Sequence, residues 1–294
     1  MLGDFIGPVA NLFSDVKIAE GESPRPTDRF YYNFHYFNNL NKPRWANPVE
    51  PIHNVDLYRH VFGAEKTFFD DTISLGLRVP FYTLDAEAKD FRLLPLPGGA
   101  GPLVVPGGPG FDTTHFGNIA AVIKALLWED RQTGSLISGG AVMSFPTASS
   151  VKINPGQSLL AYAQPFGGFI LIRGDFFVQG FSSVTLPVGR PQSIVLFNDI
   201  GVGYLAYRNA SGSALTRIVP TVEVHIANPL RQADPELNLF GIADSLRLHN
   251  VVNITLGTYF EFWNQASLGV GLVVPTTGPK PFDVEALAQL DWRF

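Results

Sequence analysis

Nine charged residues raise the first chemical question: Arg59, Glu65, Arg78, Lys124, Asp199, Arg217, Glu223, Glu261 and Glu285. Each lies in a stretch where polar and apolar residues alternate, and each falls on the polar parity. Charges gathered on one wall can do two things. They can form a constriction that sorts solutes, as rings of charge do in pores. They can also pair into a structural network, because an unpaired charge in a confined space is costly. Both can hold at once. His35, His115 and His225 are scattered over similar stretches, and no spacing of His, Asp and Glu points to a metal. No cofactor is expected. The chain has no cysteine, which excludes disulfides, thiol catalysis and thiolate-bound metals. The run "PGGAGPLVVPGGPG" (97–110) lacks the Lys-Ser/Thr end of a phosphate loop. It reads as an external loop or one folded into a mouth. Arg173-Gly174-Asp175 reads as a turn.

The elements that carry these residues repeat every two positions. The last stretch, "FDVEALAQLDWRF", puts Phe282, Val284, Ala286, Ala288, Leu290, Trp292 and Phe294 on one parity. Asp283, Glu285, Gln289, Asp291 and Arg293 fall on the other, with Leu287 the one apolar member. Such a period is a strand with two different faces. In "TISLGLRVPFY", Ile73, Leu75, Leu77 and Val79 oppose Ser74, Gly76 and Arg78. "RFYYNFHYF" is aromatic on both parities, with Asn33 and His35 on one of them.

Composition limits who the partners are. Only 16% of residues are charged, against roughly 25% in an ordinary soluble domain. There are 24 Phe, 9 Tyr and 4 Trp, so apolar surface is plentiful. The most helix-like apolar stretch, "GNIAAVIKALLWED", is broken by Lys124 and falls short of the 18 or so residues a membrane helix needs. A chain like this meets lipid, if at all, with strands. The net charge of −5 and the lack of a basic run argue against nucleic acid. The start, "MLGDFIGPVANLF", has no basic n-region, so no signal peptide is read there; for an exported protein, the expectation is that it has been removed.

Counting segments gives about twelve strands, with 158–187 split as a hairpin around Arg173-Gly174-Asp175. The connections alternate. "FDD", "EDRQTG", "RGD", "RNASGS" and "NQA" are short, and those between them are mostly longer, notably 85–112 and 229–249. Even strand number with short turns at one end is the layout of an outer-membrane barrel. The polar parity is also rich in glycine (Gly63, Gly76, Gly201, Gly203, Gly257, Gly269, Gly271), as a crowded interior requires. Aromatics gather near strand ends, as in interfacial girdles. The expected fold is therefore all-β: a transmembrane, antiparallel, up-and-down barrel of about twelve strands over 28–294. A barrel of that size is expected to be too wide for apolar side chains to fill. A soluble β-sandwich with the opposite facing is the competing fold. Residues 1–27 lack alternation and are expected to form a plug or a periplasmic extension.

Several segments resemble a known family: "GAEKTFFDDTISLGLRVPF", "GNIAAVIKALLWEDRQTGSLISGGAVMSFPT", "FFVQGFSSVTLPV" and "LFNDIGVGYLAYRN". They are similar to outer-membrane transporters common in planctomycete-type bacteria, related to the family labelled for the MetA pathway of phenol degradation. The resemblance runs from about Arg29 to Phe294 and lies in strand and turn patterns. It implies a single-chain barrel in the bacterial outer membrane that passively moves small, hydrophobic or aromatic compounds. Its partners would be outer-membrane lipid, a small-molecule solute and the barrel-assembly machinery. Trp292 and Phe294 would carry the membrane-insertion signal, since a terminal aromatic on the lipid-facing parity resembles that of bacterial outer-membrane proteins. A structural or adhesion barrel with a closed lumen is the alternative. A lipid hydrolase is a third reading, with His60 and Ser182 or Ser183 as the nearest Ser–His imitation. No enzyme activity is expected, because nothing in the sequence brings them within hydrogen-bond reach.

Overall fold

The computed structural model describes residues 21–40, 48–94, 96, 101–147, 161–188, 194–209, 214–231, 250–278 and 280–294. Among the described residues every regular element is a β-strand. In chain order the strands are β1 Arg29–Asn38, β2 Ile52–Phe68, β3 Ile73–Ala88, β4 Phe91–Leu94, β5 Leu103–Pro106 and β6 Phe111–Phe116. Then come β7 Ala120–Asp130, β8 Ser135–Ser144, β9 Tyr162–Arg173, β10 Phe176–Pro187 and β11 Ile194–Tyr204. The last are β12 Tyr207–Arg208, β13 Leu215–Arg231, β14 Val251–Phe262, β15 Ala266–Pro275 and β16 Val284–Arg293.

Twelve of these (β1–β3, β7–β11 and β13–β16) form one antiparallel sheet that closes on itself. Closure comes from β16 pairing with β1, Arg293 opposite Arg29 and Val284 opposite Asn38. Sequence neighbours pair all the way round, which is the up-and-down order expected. The 158–187 segment is indeed a hairpin, β9–β10, with Gly174 at φ 62 in its two-residue turn. The 85–112 stretch is less loop-like than expected. β3 runs on to Ala88, β4 and β5 form their own hairpin, and β6 lies along the far end of β3. At 17, 16 and 17 residues, β2, β3 and β13 exceed the roughly 9–11 residues a membrane strand needs. At the long-loop end β2 and β3 stay paired as far as Ile52 and Ala88, and β13 runs past β14 to Arg231, opposite Ile194 of β11. The loop expected over 229–249 lies largely outside the described residues.

The facing of the sheet is inverted relative to a soluble sandwich. Leu75, Leu77, Ile123, Ile200, Val222, Leu256, Leu272 and Leu290 are exposed on the outer wall. Glu65, Arg78, Lys124, Glu223 and Glu285 are buried within. At the short-turn end, Phe30, Phe68, Phe69, Trp128, Phe176, Trp263, Trp292 and Phe294 stand exposed. The Phe294 ring stacks on Phe30 at 5.0 Å.

The expectation that apolar side chains could not fill the lumen is corrected. At the long-loop end, Phe37, Val55, Leu57, Leu84, Val273, Phe282 and Leu287 pack into one buried cluster. Phe37 and Phe282 meet edge to face at 5.3 Å. Leu287, the apolar exception on the last strand, belongs here. Two smaller apolar clusters line other walls, one around Phe166 and Phe181, the other around Val195 and Phe197. Aromatic rings make filling possible by folding over glycines directly opposite them. Tyr31 faces Gly63, Phe177 faces Gly203, and Tyr259 faces Gly269 across adjacent strands. A Cβ on Gly63 would sit 2.1 Å from the Tyr31 ring, and one on Gly203 would sit 2.3 Å from Phe177.

Candidate functional site

The lumen is charged at the short-turn end. Parity carries Glu65 of β2, Ser74 and Arg78 of β3, Lys124 of β7, Asp291 of β16 and Arg29 of β1 to the same interior region. Arg29 donates to Glu65 at 3.0 Å and to Asp291 at 2.7 Å. Lys124 Nζ reaches Glu65 at 3.0 Å, and the Ser74 hydroxyl donates to the same carboxylate at 2.6 Å. Arg78 Nε donates to the Tyr31 hydroxyl at 3.0 Å, while the Arg29 guanidinium lies 4.5 Å from the centre of the Tyr31 ring. Lys124 is only 1% exposed. A lysine is tolerated there because two carboxylates face it.

The second of those carboxylates comes from outside the barrel wall. Residues 21–28 precede β1, and Glu22 of that stretch is buried in the lumen. Its carboxylate lies 2.5 Å from Arg78, 3.1 Å from Arg29 and 3.4 Å from Lys124. Burial alone would push this carboxyl up. The three cations outweigh it, Arg78 first, and hold it down at about 2. The stretch is tied again nearer the rim. Arg25 donates to Glu129 at 2.6 Å and to the Gly134 carbonyl at 2.9 Å. Asp28 accepts from Lys66, and from the backbone and hydroxyl of Thr67 at 2.5 and 2.6 Å.

A second polar group lies on another wall. His225 of β13 is 2.5 Å from Asp199 of β11 through Nδ1 and 2.8 Å from the Thr255 hydroxyl of β14 through Nε2. Glu223 lies 3.5 Å from the same Nε2. A carboxylate, an imidazole and a hydroxyl in that order resemble a hydrolytic triad. Thr255 is 2% exposed, however, so no acyl group reaches its hydroxyl in this conformation. His35 of β1 pairs with Glu285 of β16 at 2.6 Å.

Seven of the nine charged residues singled out by parity are thus buried inside: Arg59, Glu65, Arg78, Lys124, Asp199, Glu223 and Glu285. They do not form one ring. Glu65, Arg78 and Lys124 share the turn-end cluster, Asp199 and Glu223 surround His225, and Glu285 holds His35. Arg217 and Glu261 sit at the short-turn rim. There they pair at 3.2 Å, and Glu261 also accepts from Arg293 at 3.0 Å. The Arg217 side chain is 46% exposed there, so it is not a lumen group in the sense expected. His115 is on β6, 2.9 Å from Thr113. His60 is hydrogen-bonded to Tyr32 at 2.8 Å, and Ser182 to Asn198 at 2.9 Å. Four strands separate β2 from β10, so His60 meets neither Ser182 nor Ser183. Among the described residues, no three His, Asp or Glu side chains converge as metal ligands do.

Parity analysis missed Glu22, which lies where nothing alternates. It placed Arg293 and Asp291 on the polar face without seeing their partners. The contact map of the cluster depends on strand order, which adjacent residues do not reveal.

No protein-family model and no curated protein matches the chain. Solved structures do. An outer-membrane channel from Pseudomonas putida F1 is similar at 10% identity and a TM-score of 0.54, over 92% of this chain and 96% of that one. The β domain of the Bordetella autotransporter BrkA is similar at 9% identity and a TM-score of 0.50, over 91% and 100%. At such identities the likeness is one of fold: this chain has the fold of outer-membrane barrels. One of these relatives in fold is a channel and the other an autotransporter domain, so the fold leaves the activity open.

Proposed function

We propose that the protein is a bacterial outer-membrane barrel that passes small solutes and is closed in this conformation. The observation that carries the reading is a closed barrel with an apolar outer wall, a charged interior, and a non-strand stretch seated within it. A purely structural barrel has no need to import Glu22 into its lumen. The proposed class is the one its segments resemble, transporters of small hydrophobic or aromatic compounds. Trp292 and Phe294, both exposed on the outer wall, fit an insertion signal read by the assembly machinery.

Planar-bilayer recording tests this. The full chain should insert and show small or rare conductance steps. Deleting residues 1–27 should raise conductance, because it empties the space now held by 21–27. Unchanged conductance would remove the plug.

The packing itself favours a second reading. Lys124, Gln164, Gln289, Glu223 and Glu285 are all less than 2% exposed, as in a solid interior. A structural or adhesion barrel would show that, and would stay silent in the bilayer even after the deletion. A lipid hydrolase is tested with phospholipid micelles; activity lost in His60→Ala would revive it.

A further inference from the structure

The oddest group in the lumen is Glu22. Its carboxylate is the anion around which Arg29, Arg78 and Lys124 are arranged, yet it does not belong to the wall that supplies them. Among the described residues, the wall's own acids in this cluster are Glu65 and Asp291. Without Glu22, Arg78, Arg29 and Lys124 would each lose a carboxylate that now lies 2.5, 3.1 and 3.4 Å away. Removing one member of a buried charge cluster is costly. The stretch can therefore leave readily only when another anion takes its place.

We propose that the Arg29–Arg78–Lys124 trio is a binding site for the carboxylate of an organic-acid solute, and that Glu22 occupies it as an internal stand-in. The two guanidinium groups offer planar forks that match a carboxylate, and the ammonium adds a point charge. In the contacts made now, Arg29 and Arg78 each bring one nitrogen to the same Glu22 oxygen, and Lys124 reaches the other. The opposite end of the lumen is lined by Phe37, Leu57, Leu84 and Leu287, which suits an apolar body. An acid with an apolar tail would thus be matched at both ends of the route. Arriving at the trio, it displaces Glu22 while Asp28, bonded to Lys66 and Thr67, keeps the base of the stretch tethered. The inference rests on the channel reading for its route, but not for the site itself.

The absence of cysteine makes the test direct. Ser23→Cys in the full chain, folded in lipid, places a single thiol beside Glu22. Its rate of labelling by a bulky maleimide reports whether the stretch is seated. Benzoate is the probe, with benzyl alcohol as the neutral control and chloride at equal ionic strength as the screening control. Benzoate should speed labelling roughly tenfold, about the shift expected of a modest difference in affinity between two states, and the controls should not. Adding Glu22→Gln should give fast labelling without benzoate, and no further gain with it. Labelling indifferent to benzoate, or equally quickened by chloride, overturns the proposal. If the double variant fails to fold, the single Ser23→Cys protein still decides it. A bilayer without current but with benzoate-dependent labelling removes the channel and keeps the site. Current without benzoate-dependent labelling does the reverse.

Discussion

The two ends of the lumen are built on different principles. The long-loop end is packed as in a soluble domain, with Phe37, Leu57, Leu84 and Leu287 buried in one cluster. The short-turn end is filled by Arg29, Arg78 and Lys124 with Glu22, Glu65 and Asp291. Burial is similar at both ends, but the consequences of losing one partner are not. An apolar cluster loses contacts in proportion to the atoms removed. A charge cluster that loses one member leaves the rest unbalanced, and the cost exceeds what the pair contributed. The charged end is therefore the one that can be switched, because a different anion restores the balance at once. No equivalent exchange exists for a missing phenyl ring.

The sharpest way to break this comparison is Glu65→Ala. Glu65 serves Arg29, Lys124 and Ser74 together. Its loss should destabilise the lipid-folded barrel by about 3–5 kcal/mol, measured from its urea midpoint. Leu84→Ala at the other end should cost about 2–5 kcal/mol, with a cavity term that varies with local collapse. The distinguishing mark is rescue. Removing a cation as well, as in Glu65→Ala with Lys124→Met, should recover part of the first loss, whereas no charge change recovers the second. If the double variant is no better than the single, the two ends do not differ as described.

Acid sharpens the contrast with a smaller effect. The hydrogen bond from Lys66 and those from Thr67 hold the Asp28 carboxyl down at about 2, below its ordinary 3.8. Glu22 is likewise depressed, from 4.5 to about 2. A depressed carboxyl contributes stability that is present above its unfolded value and lost as pH falls through the folded one. The seating of 21–28 should therefore hold from neutral pH to about 4.5 and fail between there and 2. Labelling at Ser23→Cys, scanned over that range, should rise only in this window. Asp28→Asn should reduce the pH response without abolishing it, since Glu22 still titrates. Phe37, Leu57, Leu84 and Leu287 carry no ionisable group, so Leu84→Ala should leave this labelling response unchanged.

Much of this was legible before any coordinates. Strict alternation in β3, β7, β13 and β16 placed Arg78, Lys124, Glu223 and Glu285 on the inner face, and the structure keeps them there. The hairpin at Gly174 and the twelve-strand count followed from turn residues. Two things were not legible. One was the apolar layer, because β1 is aromatic on both parities, and Leu57 and Leu84 lie beyond the stretches where alternation is cleanest. The other was Glu22, since a segment without periodicity gives no face to assign. Its role depends on Arg78 and Lys124, 56 and 102 positions further along the chain. Nothing local announces a partner that distant.

The rings folded over glycines carry a consequence for inheritance. Tyr31 and Gly63 occupy one volume between them, as do Phe177 and Gly203. A lineage that gains a side chain at position 63 must shrink position 31 in the same step or pass through a misfit. Descendants should therefore keep or exchange these residues as matched sets. Drift at the exposed leucines of the outer wall is free of that bond, so the interior should keep a record of common ancestry after the surface has lost it.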